Sequence, residues 1–400
     1  MVRVILNEPS LYVGRFLSSA LKSLENVEAV DEDFNGGIPS VEAVDESIVY
    51  WGDYDSLAET DWDAIFQNRG VYASVYCIRK GLIRKGQLAA TLDEYFYKKG
   101  SAVKRFHPET VSVDVRPQIF SFGGASVDAA QVDVESRCLD AIDLMEERDG
   151  KLWIVKPSLA DRAEAISVVT SPEQLVECIE RHPDLMQWVV QEYVEKPLLI
   201  DDRKFHLRVY VFCVGDLSVY VYNDMLALIA PSTYTCDRSD MALEDATVHI
   251  TNTCKHASSD GFSESKFIRV FSSDTCHLSP KVVSTIKSRI NDAVGHLFAA
   301  MESNTQGFMP ASNCCEVFGV DFLVEEESLQ PILLEVNAIP DLKNTGSELE
   351  ALIQGLVEGM VGIAFSSWFG KEENDGKYRE TFTLAHASSK KRAWGTAKLK

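Results

Sequence analysis

A chain of 400 residues is longer than one ordinary hydrophobic core, and its 46% hydrophobic and 10% aromatic content can fill two or three domains. A net charge of −22 repels phosphates at long range, which disfavours broad binding to nucleic acid or to acidic membranes. The apolar runs read as too short to cross a bilayer, MVRVILNEPS has no signal-peptide pattern, and the nine cysteines include no CxxC pair, so a soluble, reducing, cytoplasmic setting with no membrane partner is expected.

Residues 1–76 read as a small α/β unit: the strand VRVIL, a helix around Leu11–Leu24, an acidic loop, and a buried strand in SIVYWGDYD at 47–55. A central domain is expected over 77–190. It opens on a basic stretch holding Arg79, Lys80, Arg84, Lys85, Lys98, Lys99, Lys104 and Arg105. That stretch is either a solvated helical face or a positive wall for nucleotide phosphates or an acidic peptide. A strand near Ser112–Val115, a helix around Val134–Arg148 and the hairpin KLWIVKPSLADRAEAISVV follow. Ser171 is a suitable N-cap for the next helix, with Pro172 at its first position.

From residue 191 to 370 a second large domain is rich in strands, including RKFHLRVYVFCV, LSVYVYND, CCEVFGVDFLV and PILLEVNA. Two long amphipathic helices, roughly 280–302 and 347–365, cover them. The segment 371–400 is polar, ends in KKRAWGTAKLK, and reads as a mobile tail.

Three stretches carry chemistry. In RKFHLRVYVFCV alternate residues share a face, so Phe205, Leu207, Val209 and Val211 point one way and Lys204, His206 and Arg208 the other. Such a cluster asks for an anionic partner, either a salt-bridge network or a polyphosphate. In EVFGVDFLVEEESLQPILLEVNA, Asp321 interrupts one apolar strand, and Glu335 and Asn337 share a face of the next. Oxygen donors of this kind suit Mg²⁺ together with phosphate oxygens. In the hairpin, Lys156 follows an apolar strand and precedes a turn at Pro157–Ser158, as in a phosphate-binding loop. Where glycines would close that loop, the chain carries Asp161, Arg162, Ala163, Glu164 and Ala165.

Taken in order, RKGLIRK (79–85), WIVKPS (153–158), WVVQEYVEKPLL (188–199), RKFHLR (203–208), HITN (249–252) and FGVDF with LLEVN (318–322 and 333–337) resemble the ATP-grasp fold. Within that fold they resemble the tubulin-tyrosine ligase-like family, over roughly residues 1–365. The N-terminal part looks most like fungal members, where the domain occurs in proteins associated with processing bodies and mRNA decapping.

The resemblance implies an α/β (α+β) architecture with a nucleotide cleft between two antiparallel sheets. It implies ATP and Mg²⁺ as cofactors. Lys80, Lys156 and Lys204 would hold phosphates; Gln191, Tyr193 and Val194 would frame adenine; Thr251 and Asn252 would line the ribose and the reacting end. Asp321, Glu335 and Asn337 would bind Mg²⁺, and Arg208 would stabilise charge on the transferring group, so that Arg208, Lys204 and Glu335 carry the chemistry. The family transfers the γ-phosphoryl of ATP to a carboxylate, and an amine attacks the acyl phosphate. That reaction needs no protein nucleophile, only positioning and charge neutralisation.

The sequence departs from the family in three places. Ala163 and Ala165 replace loop glycines, and Asp161 and Glu164 put negative charge near the phosphates. His206 stands where the family has aspartate, and an imidazole does not stand in for a carboxylate as a metal or amine partner. After the cationic strand the chain reads Tyr222, Asn223, Asp224, Met225, Leu226, Ala227, Leu228, without the two arginines of ligating members, the second of which binds the carboxylate substrate. Two functions remain: a ligase for a protein or peptide acceptor, with the acidic tails of tubulin disfavoured by the chain's own negative charge unless the basic stretch at 79–105 steers them, or a degenerate binding module that docks a peptide of an mRNA-decapping factor. Direct RNA binding is disfavoured by the charge and the lack of a basic-aromatic signature.

Overall fold

The computed structural model describes the chain except residues 8–9, 32–46, 53, 56, 58–61, 68–69, 117–132, 160–164, 236–245, 252–266, 341, 343–346, 371–377, 379 and 390–400. Asp161, Arg162, Ala163 and Glu164 of the expected phosphate loop, Asn252, and the KKRAWGTAKLK end therefore lie outside the described residues.

The first sheet joins β1 (Val2–Asn7), β2 (Val27–Asp31), β3 (Ser47–Gly52) and β4 (Val71–Ala73) in the order β2-β1-β3-β4, all parallel. Continuous apolar runs such as Val4-Ile5-Leu6 suit a parallel sheet buried on both faces. Ile5 and Tyr50 enter one core, whereas Val4, Leu6 and Trp51 enter another with Val13, Phe16 and Leu17 of the helix Leu11–Lys22.

The second sheet joins β5 (Thr110–Asp114), β6 (Trp153–Pro157), β7 (Ser167–Val169) and β8 (Gln187–Glu192) in the antiparallel order β5-β8-β6-β7. Trp153, Val155, Trp188 and Val190 pack on one face against Ala141, Met145, Leu175 and Ile179. The opposite face is left for Ile154, Lys156 and Gln191. Ser171 caps the helix Pro172–Glu180 by accepting from the Gln174 N–H, as its sequence position predicts. The helix expected over Val134–Arg148 is two, Val134–Arg137 and Leu139–Glu147, because the chain breaks at the buried Cys138 (φ −96°, ψ 1°).

The third sheet holds β9 (Leu199–Ile200), β10 (Arg203–Val214), β11 (Ser218–Tyr222), β12 (Leu226–Ile229), β13 (Ile268–Val270), β14 (Cys315–Val324), β15 (Pro331–Asn337) and β16 (Phe382–Ala387). Its pairings are antiparallel, with β10 as the spine that contacts β9, β11, β12 and β14. The two faces of β10 enter different environments. Phe205, Leu207, Val209 and Val211 pack under the helix Pro280–Ser303, while Tyr210 and Phe212 meet the helix Ser347–Phe369.

Two sequence expectations need correction. The segment beyond residue 370 is not simply a tail, because β16 pairs with β11 from Tyr222↔Phe382 to Ser218↔Ala387. Phe382 is 3% exposed and packs in the core beside Tyr222. The stretch Leu349–Phe369 is also long and apolar enough to cross a membrane by length and composition. In the fold it is a core helix with 67% of its apolar window buried, because it has a packing partner on several sides.

Candidate functional site

The second and third sheets face one another across a cavity of about 960 Å³, counting its open mouth. Lys156, Gln191, Tyr193, Val194, Lys204, Thr251, Asp321, Glu335 and Asn337 all line it. The sequence thus identified nine residues that converge from six separate segments. Arg208 adjoins the cavity through Asp321, donating from Nε to Oδ1 at 2.5 Å and from Nη2 to Oδ2 at 3.0 Å. This pair is in register, since Arg208 on β10 sits opposite Asp321 on β14.

Lys80 is not among the residues that line the cavity. It is exposed at the start of the helix Lys80–Ile83, and Lys85 lines the cavity instead. The extended backbone of Arg84 (φ −92°, ψ 117°) ends one helix and starts the next, Lys85–Lys99, so the two lysines do not share a helical face. Ser158 Oγ accepts from the Gly86 N–H at 3.2 Å and ties this second helix to the turn after β6. Lys85 Nζ then reaches Glu335 at 3.1 Å.

The rest of the basic stretch is dispersed. Arg79 is buried against Glu316 at 2.9 Å and lies 3.8 Å from the centre of the Tyr54 ring. Lys98 pairs with Glu94, and Arg105 with Asp93. Of the whole stretch, Lys85 alone lines the cavity.

Each cavity lysine has a shaped setting. Lys156 Nζ donates to Gln191 Oε1 at 2.9 Å, and Gln191 Nε2 donates in turn to Thr110 Oγ1 at 3.0 Å. Burial pushes the Lys156 ammonium down to about 8, with Glu335 resisting and Lys85 assisting. Lys204 Nζ donates to the Tyr193 hydroxyl at 2.7 Å and lies 4.2 Å from the centre of that ring. His249 Nδ1 shares the same hydroxyl at 2.8 Å. Burial alone would raise the Glu335 carboxyl, but Lys85 and Lys156 hold it well below the ordinary carboxylate range.

Both carboxylates are therefore compensated from within the chain, Asp321 by Arg208 and Glu335 by Lys85. Neither carboxylate needs an external cation to be tolerated in the fold. Among the described residues no three His, Cys, Asp or Glu side chains close on a metal ion. The donors still suit a hard divalent ion in type: two carboxylates beside Asn337, whose amide donates to Asp321 Oδ2 at 3.2 Å. They are too few to complete a shell, so such an ion would depend on oxygens from a ligand.

The Tubulin-tyrosine ligase family profile matches residues 133–373. The chain belongs to the tubulin-tyrosine ligase family. The C-terminal domain of K. lactis Pby1, an ATP-grasp enzyme interacting with the mRNA decapping enzyme Dcp2, is similar with a TM-score of 0.70 at 28% identity. That similarity covers 98% of this chain and 100% of the other, and the fold here is ATP-grasp. The probable tubulin–tyrosine ligase C12B10.04 of Schizosaccharomyces pombe is 32% identical over 81% of this chain and 84% of its own length. The probable tubulin–tyrosine ligase PBY1 of Saccharomyces cerevisiae is 30% identical over 93% of this chain, which spans only 53% of that relative.

Against this family background, the residues left out of the site by sequence reasoning are His249 and the His107 and Thr110 side chains behind Gln191, while Lys85 was named only as part of the basic stretch. His107 is 3% exposed, with its imidazole pushed down to about 3 by burial, and it stands 3.4 Å from Gln191 Nε2. Lys85 had a visible signal in RKGLIRK, which offers two lysines; only the helix break distinguishes them. His107 and Thr110 carry no motif.

Proposed function

We propose that the cleft binds a magnesium–ATP complex and that the chain is an ATP-dependent carboxylate–amine ligase. The observation that carries this reading is the convergence of Lys85, Lys156 and Lys204 with Asp321, Glu335 and Asn337 on one cavity. The apolar side chains Ile154, Ile166, Leu323 and Leu334 line the same cavity and offer a wall for a nucleobase. Lys85 exchanges Glu335, and Lys156 exchanges Gln191, for phosphate oxygens when nucleotide enters, which would free Glu335 to hold an accompanying cation. A magnesium ion, when bound, would offset charge on the phosphate oxygens. Arg208 beside Asp321 meets charge on the phosphoryl group in transfer. A substrate carboxylate takes that group, an amine displaces phosphate from the acyl phosphate, and the chain supplies orientation and charge throughout.

Purified protein with ATP, Mg²⁺ and candidate amino acids and peptides is expected to release ADP in an acceptor-dependent way. Binding of an ATP analogue without any ADP release across the acceptors would reduce the proposal to nucleotide binding alone.

A second reading has its own observation. Leu228, at the position of the acceptor-side arginine, is 7% exposed and packs in an apolar core with Leu226. The K. lactis relative interacts with Dcp2. On this reading the chain docks the decapping enzyme in the cytoplasm, at processing bodies, and nucleotide occupancy is secondary. Co-purification with Dcp2 that survives Lys156→Ala and Glu335→Ala supports docking; loss of Dcp2 in both variants makes nucleotide a requirement.

A further inference from the structure

The Gln191 amide, 2% exposed on the cavity wall, is held in one of its two possible orientations by its neighbours. On β8 it stands opposite Thr110 of β5 on one side and Ile154 of β6 on the other. Cross-strand partners share a sheet face, so the amide lies between a hydroxyl and an apolar side chain of the cavity lining.

The direction of each hydrogen bond follows from which groups can donate. An ammonium only donates, so Gln191 Oε1 is the atom that faces Lys156 Nζ at 2.9 Å. Nε2, which only donates, is thereby turned toward Thr110 Oγ1 at 3.0 Å and His107 Nε2 at 3.4 Å. Both can receive it. The Thr110 hydroxyl gives its proton to the Pro108 carbonyl at 2.9 Å and keeps its lone pairs for Gln191. Burial holds the His107 imidazole neutral, so one ring nitrogen is an acceptor, and the amide donor facing Nε2 makes it that one. A flipped amide would set its NH₂ against the Lys156 ammonium and its oxygen against the Thr110 oxygen.

In the proposed nucleotide complex Lys156 turns to phosphate, and Oε1 becomes a buried acceptor in need of a new donor. Thr110 and His107 still occupy the two Nε2 protons, so the amide does not turn over to meet a ligand acceptor instead. A 6-aminopurine brings a donor to such an oxygen, whereas a 6-oxopurine brings a second acceptor. We propose that Thr110 and His107 are positioning residues for base specificity: they lock the Gln191 amide so that it offers the base only an acceptor, which selects a 6-aminopurine nucleotide over a 6-oxopurine one. The inference rests on the nucleotide-binding reading above and assigns a task to two side chains that stand behind the cavity wall.

Titration calorimetry with Mg²⁺ and non-hydrolysable analogues of ATP and of inosine triphosphate, which carries a 6-carbonyl, tests the lock. Wild type is expected to prefer the adenine analogue by roughly tenfold or more. In Thr110→Val the amide is freer to turn, and the preference is expected to fall by about threefold or more, whereas Thr110→Ser keeps the hydroxyl and the preference. His107→Phe is expected to act in the same direction as Thr110→Val. Inorganic tripolyphosphate is expected to bind every variant as it binds wild type; that invariance, with a thermal melt on each, separates a turned amide from a damaged fold. A preference unchanged in a folded double variant, Thr110→Val with His107→Phe, overturns the lock, as does an equal loss in Thr110→Ser and Thr110→Val. Wild type that binds both analogues equally overturns the meeting of Gln191 with the base. No binding of either analogue to wild type overturns the nucleotide reading itself.

Discussion

Replacing Lys85 with alanine separates the site built in three dimensions from the one suggested by sequence. Its ammonium lies 3.1 Å from Glu335, with 13% of its side chain exposed. In the proposed nucleotide complex the contact would pass to a phosphate. A hydrogen bond to a charged group is worth about 1.5–3 kcal/mol, so Lys85→Ala is expected to weaken binding by roughly ten- to a hundred-and-fifty-fold. The loss is smaller than the full Coulomb attraction, because Lys85 gives up Glu335 when it takes phosphate. Lys80 is exposed, so Lys80→Ala is expected to change binding by less than about 0.5 kcal/mol. Titration calorimetry with a magnesium–ATP analogue measures both. Removing Lys85 also leaves Glu335 with less compensation, so a thermal melt should accompany each titration. Equal losses in the two variants, or no loss in Lys85→Ala with the fold intact, would refute the assignment of the phosphate-facing lysine.

The free Lys156 ammonium titrates near 8 because burial depresses it, and an anionic phosphate restores its charge. Affinity for the magnesium–ATP analogue is therefore expected to fall as pH rises above about 8, with proton uptake on binding visible as buffer-dependent heats; a pH-independent affinity that matches Lys156→Ala counts against this. Arg79→Ala leaves Glu316 buried at 3% exposure with the Tyr76 N–H at 3.0 Å as its remaining donor; burial pushes this carboxyl up to about 8, so it takes a proton, for a loss of about 1–3 kcal/mol. Urea unfolding should report that loss, and Glu316→Gln on the same background should recover part of it; a midpoint unchanged in Arg79→Ala would show the pair to be neutral. At Gly359 a Cβ would stand 2.2 Å from the Phe382 ring, so Gly359→Val is expected to displace β16 and expose its connection to limited proteolysis. Cleavage identical to wild type would mean that the strand tolerates the clash.

Local periodicity made much of the site legible. Lys204, His206 and Arg208 share a face because strand side chains alternate, and that needs no knowledge of the fold. The same rule set Glu335 and Asn337 on one face of β15, and Ser171-Pro172 announced a helix start through cap chemistry alone. The motifs in chain order were enough for the ATP-grasp family. The tertiary structure decided the choice between Lys80 and Lys85, because one extended residue at Arg84 re-aims the chain. It also decided that Arg208 and Lys85 already hold the two carboxylates, a pairing across 113 residues in the first case. β16 was hidden for a related reason: its partner β11 lies more than a hundred and fifty residues earlier, as the Asn223–Thr383 hydrogen bond (160 residues) marks. Short-range steric and capping rules act within a few residues and can be read directly from sequence. Ion pairs and edge-strand pairing depend on which distant groups the folded core brings together, and only the assembled cleft fixes them.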